Sequence, residues 1–271
     1  MSENQSKQQF NPNQKPIGIV LSGGGGRALV HLGIWKALEE KGIYPQKISG
    51  VSMGGILGAM WAAGYSTDEI IQILKKEKIM KWVRPTWEEN GLVSIKQFGR
   101  LFTKYLPKTF EELKTPFMLS AFCLQDAKVH YFESGDLITP LMATMSIPAV
   151  FAPIRIGKYD YVDSGLLENM PIRNFFPSNN MENESDYFII GIHSNPLSEN
   201  FIPTSTRSVI ERYFQSLAVF TLKEEQKKCD LFLEPAAVAD VKFSNLKIDI
   251  PFQIGYDYTI KYLNKFNIQS I

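Results

Sequence analysis

Ser52 lies at the centre of a Gly-x-Ser-x-Gly pattern, in the stretch SGVSMGG that covers residues 49–55. This pattern is typical of a nucleophile elbow, a sharp turn between a strand and a helix where small neighbours allow close packing. Gly50 and Gly54 supply the small neighbours here. The pentapeptide alone does not distinguish a nucleophile from a small residue in a tight turn, because glycine and serine are both common residues.

A run of four glycines, residues 23–26, follows the apolar stretch IGIVLS and precedes a segment of helical periodicity. Glycine permits positive φ and close approach to the backbone, and N–H groups at a helix start attract negative charge. Such a loop suits a phosphate or a developing oxyanion, although a tight turn without a ligand stays open. A dinucleotide site is disfavoured because no carboxylate ends the second predicted strand. A Walker loop is disfavoured because no Lys-Ser/Thr follows the glycines.

Serine becomes an effective nucleophile only when a base accepts its proton. Of the three histidines, His31 falls in the first predicted helix, where we expect it to be packed, and His130 falls in a strand. His193 follows a strand and fits the Ser…Asp…His order of α/β-hydrolases. That fold places several strands before its elbow, whereas one strand–helix unit precedes Ser52 here, so a histidine triad is the weaker choice.

The alternative base is a carboxylate. Asp163, in YDYVDSGLLENMP, follows a predicted strand and precedes a glycine turn. The carboxyl ends of strands are where an open α/β sheet places its site. Aspartate is a poor base unless it is desolvated and hydrogen-bonded to the hydroxyl. A plain Asp-Ser-Gly turn is the other interpretation.

The elements that must position these residues follow an α/β order. Strands are predicted at residues 17–22 and 47–52, and each precedes a helix, the first ended by Gly42 and the second by Gly64. Such a series implies a parallel sheet. The other predicted strands are PFMLSAFCL, KVHYF, the RIGKYDYVD hairpin turning at residues 157–158, DYFIIGIHS and LFLEP, and further helices are predicted at residues 139–145, 209–228 and 255–266.

Composition narrows the classes of protein. The 271 residues are 44% hydrophobic with a net charge of +1, which argues against nucleic acid as the main partner. Cys123 and Cys229 lack the spacing of a zinc site or a disulfide framework, so we expect reduced thiols and neither metal nor cofactor. No run of 18 apolar residues occurs, and the N-terminus does not resemble a signal peptide. The sequence predicts a cytoplasmic protein with a disordered tail at residues 1–15 and one domain at residues 16–271.

Together, these motifs resemble those of the patatin-like phospholipase family, in its bacterial type. LSGGGGRALVHLGIWKALEEKGI resembles the oxyanion segment of that family, SGVSMGG its elbow, and YVDSGLLENMP its Asp-Gly-Gly/Ala segment with the following Asn-x-Pro. TFEELKTPFMLSAFCL and FESGDLITPLMATMSIPAVFAP also follow the family pattern. The likeness is strong over residues 16–170 and looser beyond them.

The resemblance implies a three-layer α/β/α fold with a central, mostly parallel sheet. It also implies a lipid acyl hydrolase of the phospholipase or lysophospholipase type, with a dyad in which Ser52 is the nucleophile and Asp163 the base. The N–H groups of Gly24 and Gly25 would form the oxyanion hole. Gly23 would allow the turn of the glycine loop, and Arg27 would brace that loop or approach a substrate phosphate.

Several positions depart from the family pattern. Ala28 replaces a glycine, Val51 and Met53 replace the commoner Thr and Ala, and Ser164 replaces a glycine. If residue 164 required positive φ, a serine there would be strained. Two alternatives therefore stay open: a small-ester serine hydrolase with a histidine-containing triad, and a catalytically impaired lipid-binding member.

A cationic and aromatic segment, LKKEKIMKWVRPTW, covers residues 74–87. Such a combination suits contact with an anionic membrane surface. The other interpretation is a solvated helix whose apolar side packs onto the core. The sequence thus leaves peripheral membrane contact as an expectation, and it does not define the oligomeric state.

Overall fold

The computed structural model describes residues 15–77, 95–242 and 247–265. The predicted polar tail lies outside the described residues except for Lys15. Most of the cationic and aromatic segment, residues 78–87, also lies outside them. The two-part division of the chain into tail and domain therefore stays a prediction.

A mixed sheet of eight strands lies at the centre of the described structure. The strands are β1 (Ile17–Leu21), β2 (Lys47–Gly50), β3 (Phe117–Cys123), β4 (Lys128–Phe132), β5 (Ile154–Ile156), β6 (Tyr159–Val162), β7 (Phe188–Ile192) and β8 (Leu231–Leu233). They are ordered β5-β6-β3-β2-β1-β7-β8, with β4 paired to β3. The pairs from β3 through β2, β1 and β7 to β8 are parallel, whereas β4, β5 and β6 pair antiparallel. The predicted α/β fold with a mostly parallel sheet is confirmed.

Helices connect these strands in the predicted order. They are α1 (Val30–Glu40), α2 (Ser52–Ala62), α3 (Thr67–Glu77), α4 (Lys96–Tyr105), α5 (Ile138–Thr144), α6 (Thr206–Thr221), α7 (Lys223–Lys227) and α8 (Asp249–Lys265). Helix α8 begins at Asp249, ahead of the predicted residue 255. Pro251 lies in its first turn, where a missing N–H sacrifices no helical hydrogen bond, so the proline does not prevent the earlier start.

At β1 both faces of the sheet are buried. Alternate residues of a strand point to opposite sides, so β1 contributes to two cores. Ile19 and Leu21 of β1 pack into the larger core, whereas Val20 packs into a smaller one with Met170 and Phe175. In the larger core, Trp35 of α1 stacks on Trp61 of α2, with ring centroids 3.7 Å apart. The smaller core includes residues from short 3-10 turns near residues 173–179, such as Phe175.

Helices α1 and α8 cross in backbone contact at two glycines. A Cβ on Gly33 would lie 1.9 Å from the carbonyl oxygen of Phe252, and one on Gly255 would lie 2.3 Å from that of Val30. No side chain fits at either position. This contact anchors α8 on the helix that directly follows the glycine loop.

Candidate active site

Ser52 occupies a sharp turn where β2 ends and α2 begins. Its φ is 55°, a left-handed conformation that is unfavourable for serine, and the preceding Val51 is extended at φ −132°. The Ser52 N–H donates a hydrogen bond of 2.8 Å to the Oγ1 of Thr144 on α5. The residue is 7% exposed. The structure therefore places Ser52 on the kind of elbow that the Gly-x-Ser-x-Gly pattern predicts.

Gly50 and Gly54 allow the segments around this elbow to touch. A Cβ on Gly50 would lie 2.6 Å from the carbonyl oxygen of Gly54. A Cβ on Gly54 would lie 2.4 Å from the carbonyl oxygen of Ser22, at the end of β1. The close approach expected from the sequence is present, and any side chain at either position would push the elbow away from the sheet.

Asp163 follows β6, and the Ser52 hydroxyl lies beside its carboxyl group. The N–H of Gly165 donates to Asp163 Oδ1 at 2.8 Å. Burial raises the pKa of the Asp163 carboxyl to about 6, although the Ser52 hydroxyl and the Gly165 N–H both act to lower it. The carboxyl group is enclosed even though the residue as a whole is only partly buried. At neutral pH this carboxylate is mostly ionised, yet it is a better base than an ordinary aspartate.

Two side chains donate hydrogen bonds to the Gly23 carbonyl and so orient the peptide group between Gly23 and Gly24. The carbonyl of Gly23 accepts from Ser194 Oγ at 2.7 Å and from Asn195 Nδ2 at 3.0 Å. In a trans peptide the C=O and the N–H point in opposite directions, so the N–H of Gly24 points away from both donors. Gly25, at φ 53°, begins a 3-10 turn. Within the described part of the chain, the N–H groups of Gly24 and Gly25 have no acceptor, as is usual at a helix start.

Asn169 holds the glycine loop against the elbow. The N–H of Gly23 donates to Asn169 Oδ1 at 3.0 Å. A Cβ on Gly23 would lie 3.0 Å from the Cβ of Ser52. The structure thus brings the nucleophile candidate, the carboxylate of Asp163 and the glycine loop together in one place.

Arg27 connects the glycine loop to the chain near residue 240. Its Nε donates to the carbonyl of Val241 at 2.7 Å and its Nη2 to the carbonyl of Ala239 at 2.8 Å. The residue is 8% exposed. These contacts favour the bracing role over the approach to a substrate phosphate.

His193 is fully buried but is not brought to the Ser52 hydroxyl. Its Nδ1 lies 2.5 Å from Glu234 Oε2, and its Nε2 lies 3.4 Å from Asn169 Nδ2. Glu234, His193, Asn169 and the N–H of Gly23 therefore form one chain of polar contacts. His193 supports the glycine loop through Asn169, and within the described residues it makes no hydrogen bond to Ser52.

The other two histidines are also accounted for. His31 is fully buried, with Nε2 2.9 Å from the carbonyl oxygen of Ser22, and burial lowers its pKa to about 4. His130 contacts Asp126 at 2.8 Å and the Tyr161 hydroxyl at 3.0 Å. His31 is packed in α1, as the sequence predicts.

Cys123, Asp126 and His130 form the one cluster of potential metal ligands among the described residues, with ligand atoms within 4.8 Å of one another. They lie at the β3–β4 hairpin. The spacing alone did not reveal this group, because the hairpin turn brings its members together. The protein partners of His130 satisfy both of its ring nitrogens, and we assign no metal to the cluster.

Ser164 is not strained, contrary to the expectation for a glycine position. It is absent from the described residues that have positive φ. Its fully buried hydroxyl lies 2.9 Å from that of Ser120 on β3. This departure from the family pattern therefore adds a hydrogen bond and leaves the backbone next to Asp163 undistorted.

The sheet and the site define a class, the α/β proteins that carry a serine elbow beside a glycine loop. The chain belongs to the patatin-like phospholipase family, whose profile matches residues 19–176, more than half of its length. It is 27% identical over 164 residues to the neuropathy target esterase sws of Drosophila melanogaster, covering 57% of this chain and 12% of that protein. It is 28% identical over 167 residues to the lysophospholipase NTE1 of Debaryomyces hansenii, covering 59% of this chain and 11% of that one.

Among solved structures, VipD from Legionella pneumophila is similar, with a TM-score of 0.52 and 14% sequence identity. The alignment covers 93% of this chain and 67% of VipD. This likeness concerns the fold. The matched region spans only about an eighth of the length of the esterase and lysophospholipase relatives.

The sequence did not identify the residues that hydrogen-bond to the elbow and to the glycine loop. Thr144, Ser194 and Asn195 carry no local motif. Asn169 lies in the Asn-x-Pro that follows Asp163. The motif therefore drew attention to this residue but did not indicate what it does. Each of these residues meets the site through a contact between distant parts of the chain, which residue spacing does not reveal.

We expect His193→Ala to lower Ser52-dependent ester hydrolysis by at most about tenfold, because His193 acts on the loop only through Asn169. If His193 were the base, kcat would fall by about four orders of magnitude. Steady-state hydrolysis of a p-nitrophenyl ester by the folded variant measures the difference, and a loss on the larger scale would restore the histidine triad.

Asp163→Asn should raise Tm at pH 8. A carboxyl pKa raised from 3.8 to about 6 favours the protonated form in the folded state. The wild-type protein therefore loses about 3 kcal/mol of its free energy of unfolding as the pH rises from below 4 to above 6. Asn carries no charge and can still accept from the N–H of Gly165.

The stability difference should shrink to about one third at pH 4.5, where the carboxyl is largely protonated in the folded state. Calorimetric scans of both proteins at the two pH values measure it. Asp160→Asn, three positions earlier and on β6, is the matched control. Equal Tm values at pH 8 would show that the Asp163 carboxylate is not desolvated.

Proposed function

We propose that this protein hydrolyses acyl esters of lipids, with Ser52 as nucleophile and Asp163 as the base that activates it. The observation that carries the proposal is the position of the Ser52 hydroxyl beside the enclosed Asp163 carboxyl, where it acts to lower the pKa of that carboxyl. Two glycine N–H groups with no acceptor among the described residues lie in the adjoining loop. Nucleophile, base and oxyanion donors are the three parts that acyl transfer requires.

The first half of the reaction forms an acyl-enzyme. Ser52 Oγ attacks the ester carbonyl carbon while its proton passes to Asp163. The carbonyl oxygen becomes an oxyanion, which the N–H groups of Gly24 and Gly25 stabilise. The tetrahedral intermediate then collapses, the bond to the alcohol breaks, and the leaving oxygen takes the proton from Asp163.

The second half returns the free enzyme. Asp163 accepts a proton from a water molecule as the water attacks the acyl-enzyme carbonyl. Collapse of the second tetrahedral intermediate breaks the bond to Ser52 Oγ, which regains the proton from Asp163. The products are a carboxylic acid and the unmodified serine.

A lipid substrate is supported by family membership and by relatives named as an esterase and a lysophospholipase. No helix in the described ranges is long and apolar enough to cross a bilayer. Access to a lipid would then rest on surface contact, for which the cationic and aromatic segment at residues 74–87 is suited. In the part of this segment that the structure describes, Nζ of Lys75 lies 3.4 Å from Oδ1 of Asp249 on α8.

The dyad is tested by Ser52→Ala and Asp163→Asn. We expect each to lower kcat for lysophospholipid or p-nitrophenyl ester hydrolysis by at least about three orders of magnitude, because each removes a group that bonds or exchanges a proton with the reacting atoms. Ser208→Ala and Asp160→Asn are the matched controls and should keep wild-type rates.

A fluorophosphonate probe gives an independent readout of the nucleophile. It should label the wild-type protein and not the Ser52→Ala variant. Absence of labelling in the folded wild-type protein would favour a lipid-binding member without turnover.

Membrane contact is tested by liposome pelleting with the double variant Trp82→Ala, Trp87→Ala. We expect it to bind vesicles that contain anionic lipid several-fold more weakly than wild type, because aromatic side chains anchor at the interface. Hydrolysis of a water-soluble ester should be unchanged. Unaltered pelleting would rule out this segment as the contact surface.

A further inference from the structure

The N–H of Gly23 fixes the orientation of the Asn169 side-chain amide. A backbone N–H can only donate, so the amide atom that lies 3.0 Å from it must be the oxygen, Oδ1. The same oxygen lies beside Gly165, where a Cβ would come within 3.5 Å of it. Asn169 is buried, so solvent does not offer its amide another partner. This one oxygen therefore lies between the glycine loop and the turn whose N–H donates to Asp163.

The other half of this amide determines which ring nitrogen of His193 carries a proton. With Oδ1 turned toward Gly23, the Nδ2 group of Asn169 faces His193 Nε2 at 3.4 Å. An amide nitrogen of a side chain is a donor only, so His193 Nε2 must accept and has no proton. The single proton of the neutral ring is then on Nδ1.

Glu234 supplies the acceptor that this tautomer requires. His193 Nδ1 lies 2.5 Å from Glu234 Oε2, and a carboxylate oxygen can only accept. The ring itself is held in place, because the His193 N–H donates to the carbonyl of Leu233 at 2.9 Å and Phe232 lies nearly parallel to the imidazole, with centroids 6.1 Å apart. His193 is fully buried, whereas the Glu234 side chain is 36% exposed and keeps contact with solvent.

We propose that Glu234 is a positioning residue for the oxyanion hole, which holds the His193 proton on Nδ1 and thereby fixes Asn169 and the N–H of Gly23. With the proton on Nε2, two donors would face each other between His193 and Asn169. The amide could relieve this only by turning over, and its Nδ2 group would then face the N–H of Gly23. Either arrangement leaves a buried donor unpaired. The consequence for turnover rests on the proposed function.

The tautomer is measured by nitrogen-15 NMR of the histidine rings at pH 8, with the His193 signals assigned by their loss in His193→Ala. We expect the His193 proton on Nδ1. His31 is an internal reference, because its Nε2 faces the carbonyl oxygen of Ser22 at 2.9 Å and should be protonated. Glu234→Leu should move the His193 proton to Nε2 in at least part of the population. A proton on Nε2 of wild-type His193, or a tautomer unaffected by Glu234→Leu, would overturn the inference.

Hydrolysis of a p-nitrophenyl ester measures the effect on the oxyanion hole. We expect Glu234→Leu to lower kcat about fivefold and to change KM less than about twofold, because the oxyanion forms only in the transition state. Glu234→Gln keeps an oxygen that accepts from Nδ1–H and should stay within about twofold of wild type. Glu39→Leu, the matched control, replaces another partly buried glutamate, which accepts from the N–H of Thr67, and should also keep the wild-type kcat.

A double-variant cycle shows whether Glu234 acts through the histidine ring. In the His193→Ala background, Glu234→Leu should lower kcat by no more than about 1.5-fold, since the ring that connects it to Asn169 is gone. Losses that multiply in the double variant, equal losses in Glu234→Leu and Glu234→Gln, or an unchanged kcat in folded Glu234→Leu would each overturn the positioning role.

Failure of the proposed function is distinguishable from failure of this inference. If no ester is hydrolysed above the Ser52→Ala background, the proposed function is wrong, and the tautomer and the Gly23 amide decide the inference without turnover. The Gly23 N–H should exchange with solvent about tenfold faster in Glu234→Leu than in wild type or Glu39→Leu, because its acceptor is no longer held in place. Equal exchange in all three proteins would contradict the positioning role.

Discussion

The contact between the Ser52 hydroxyl and the Asp163 carboxyl is the interaction on which the site depends. An ionised carboxyl group is costly to enclose, and only the Ser52 hydroxyl and the Gly165 N–H lower its pKa against the effect of burial. Because burial raises the pKa by more than these two groups lower it, the carboxyl has a pKa of about 6. A solvated aspartate would be too acidic to accept a serine proton, so the proposed role of Asp163 as a base requires this raised pKa.

The sheet brings these groups together because its strands end on one side. Gly23 follows β1, Ser52 follows β2, and Ser194 follows β7, all three in the parallel part of the sheet. Asp163 arrives on an antiparallel strand, β6, and its N–H donates to the carbonyl of Ser146 just beyond α5. Helix α5 also binds the elbow through Thr144, so one helix sets the separation between Ser52 and Asp163.

The sequence predicted those parts of the fold and site that local chemistry determines. The succession of strands and helices along the chain, the elbow glycines and the hairpin at residues 157–158 follow from periodicity and turn residues, and the structure contains them. The chain of contacts from Glu234 through His193 to Asn169 did not follow, because its members lie 41 and 24 residues apart. For the same reason His193 looked like a candidate base: its residue type and place after a strand were visible, but its partners were not.

Glycine is required at some positions of the family pattern and replaceable at others, and the backbone explains the difference. Gly54 meets the carbonyl oxygen of Ser22, and Gly25 has positive φ, so neither position admits another residue without strain. Residue 164 meets neither condition, and its serine gains a buried partner in Ser120. A departure from a motif is informative only when the residue must occupy a left-handed or crowded position. By that criterion the serine at residue 164 leaves the backbone that positions Asp163 unstrained.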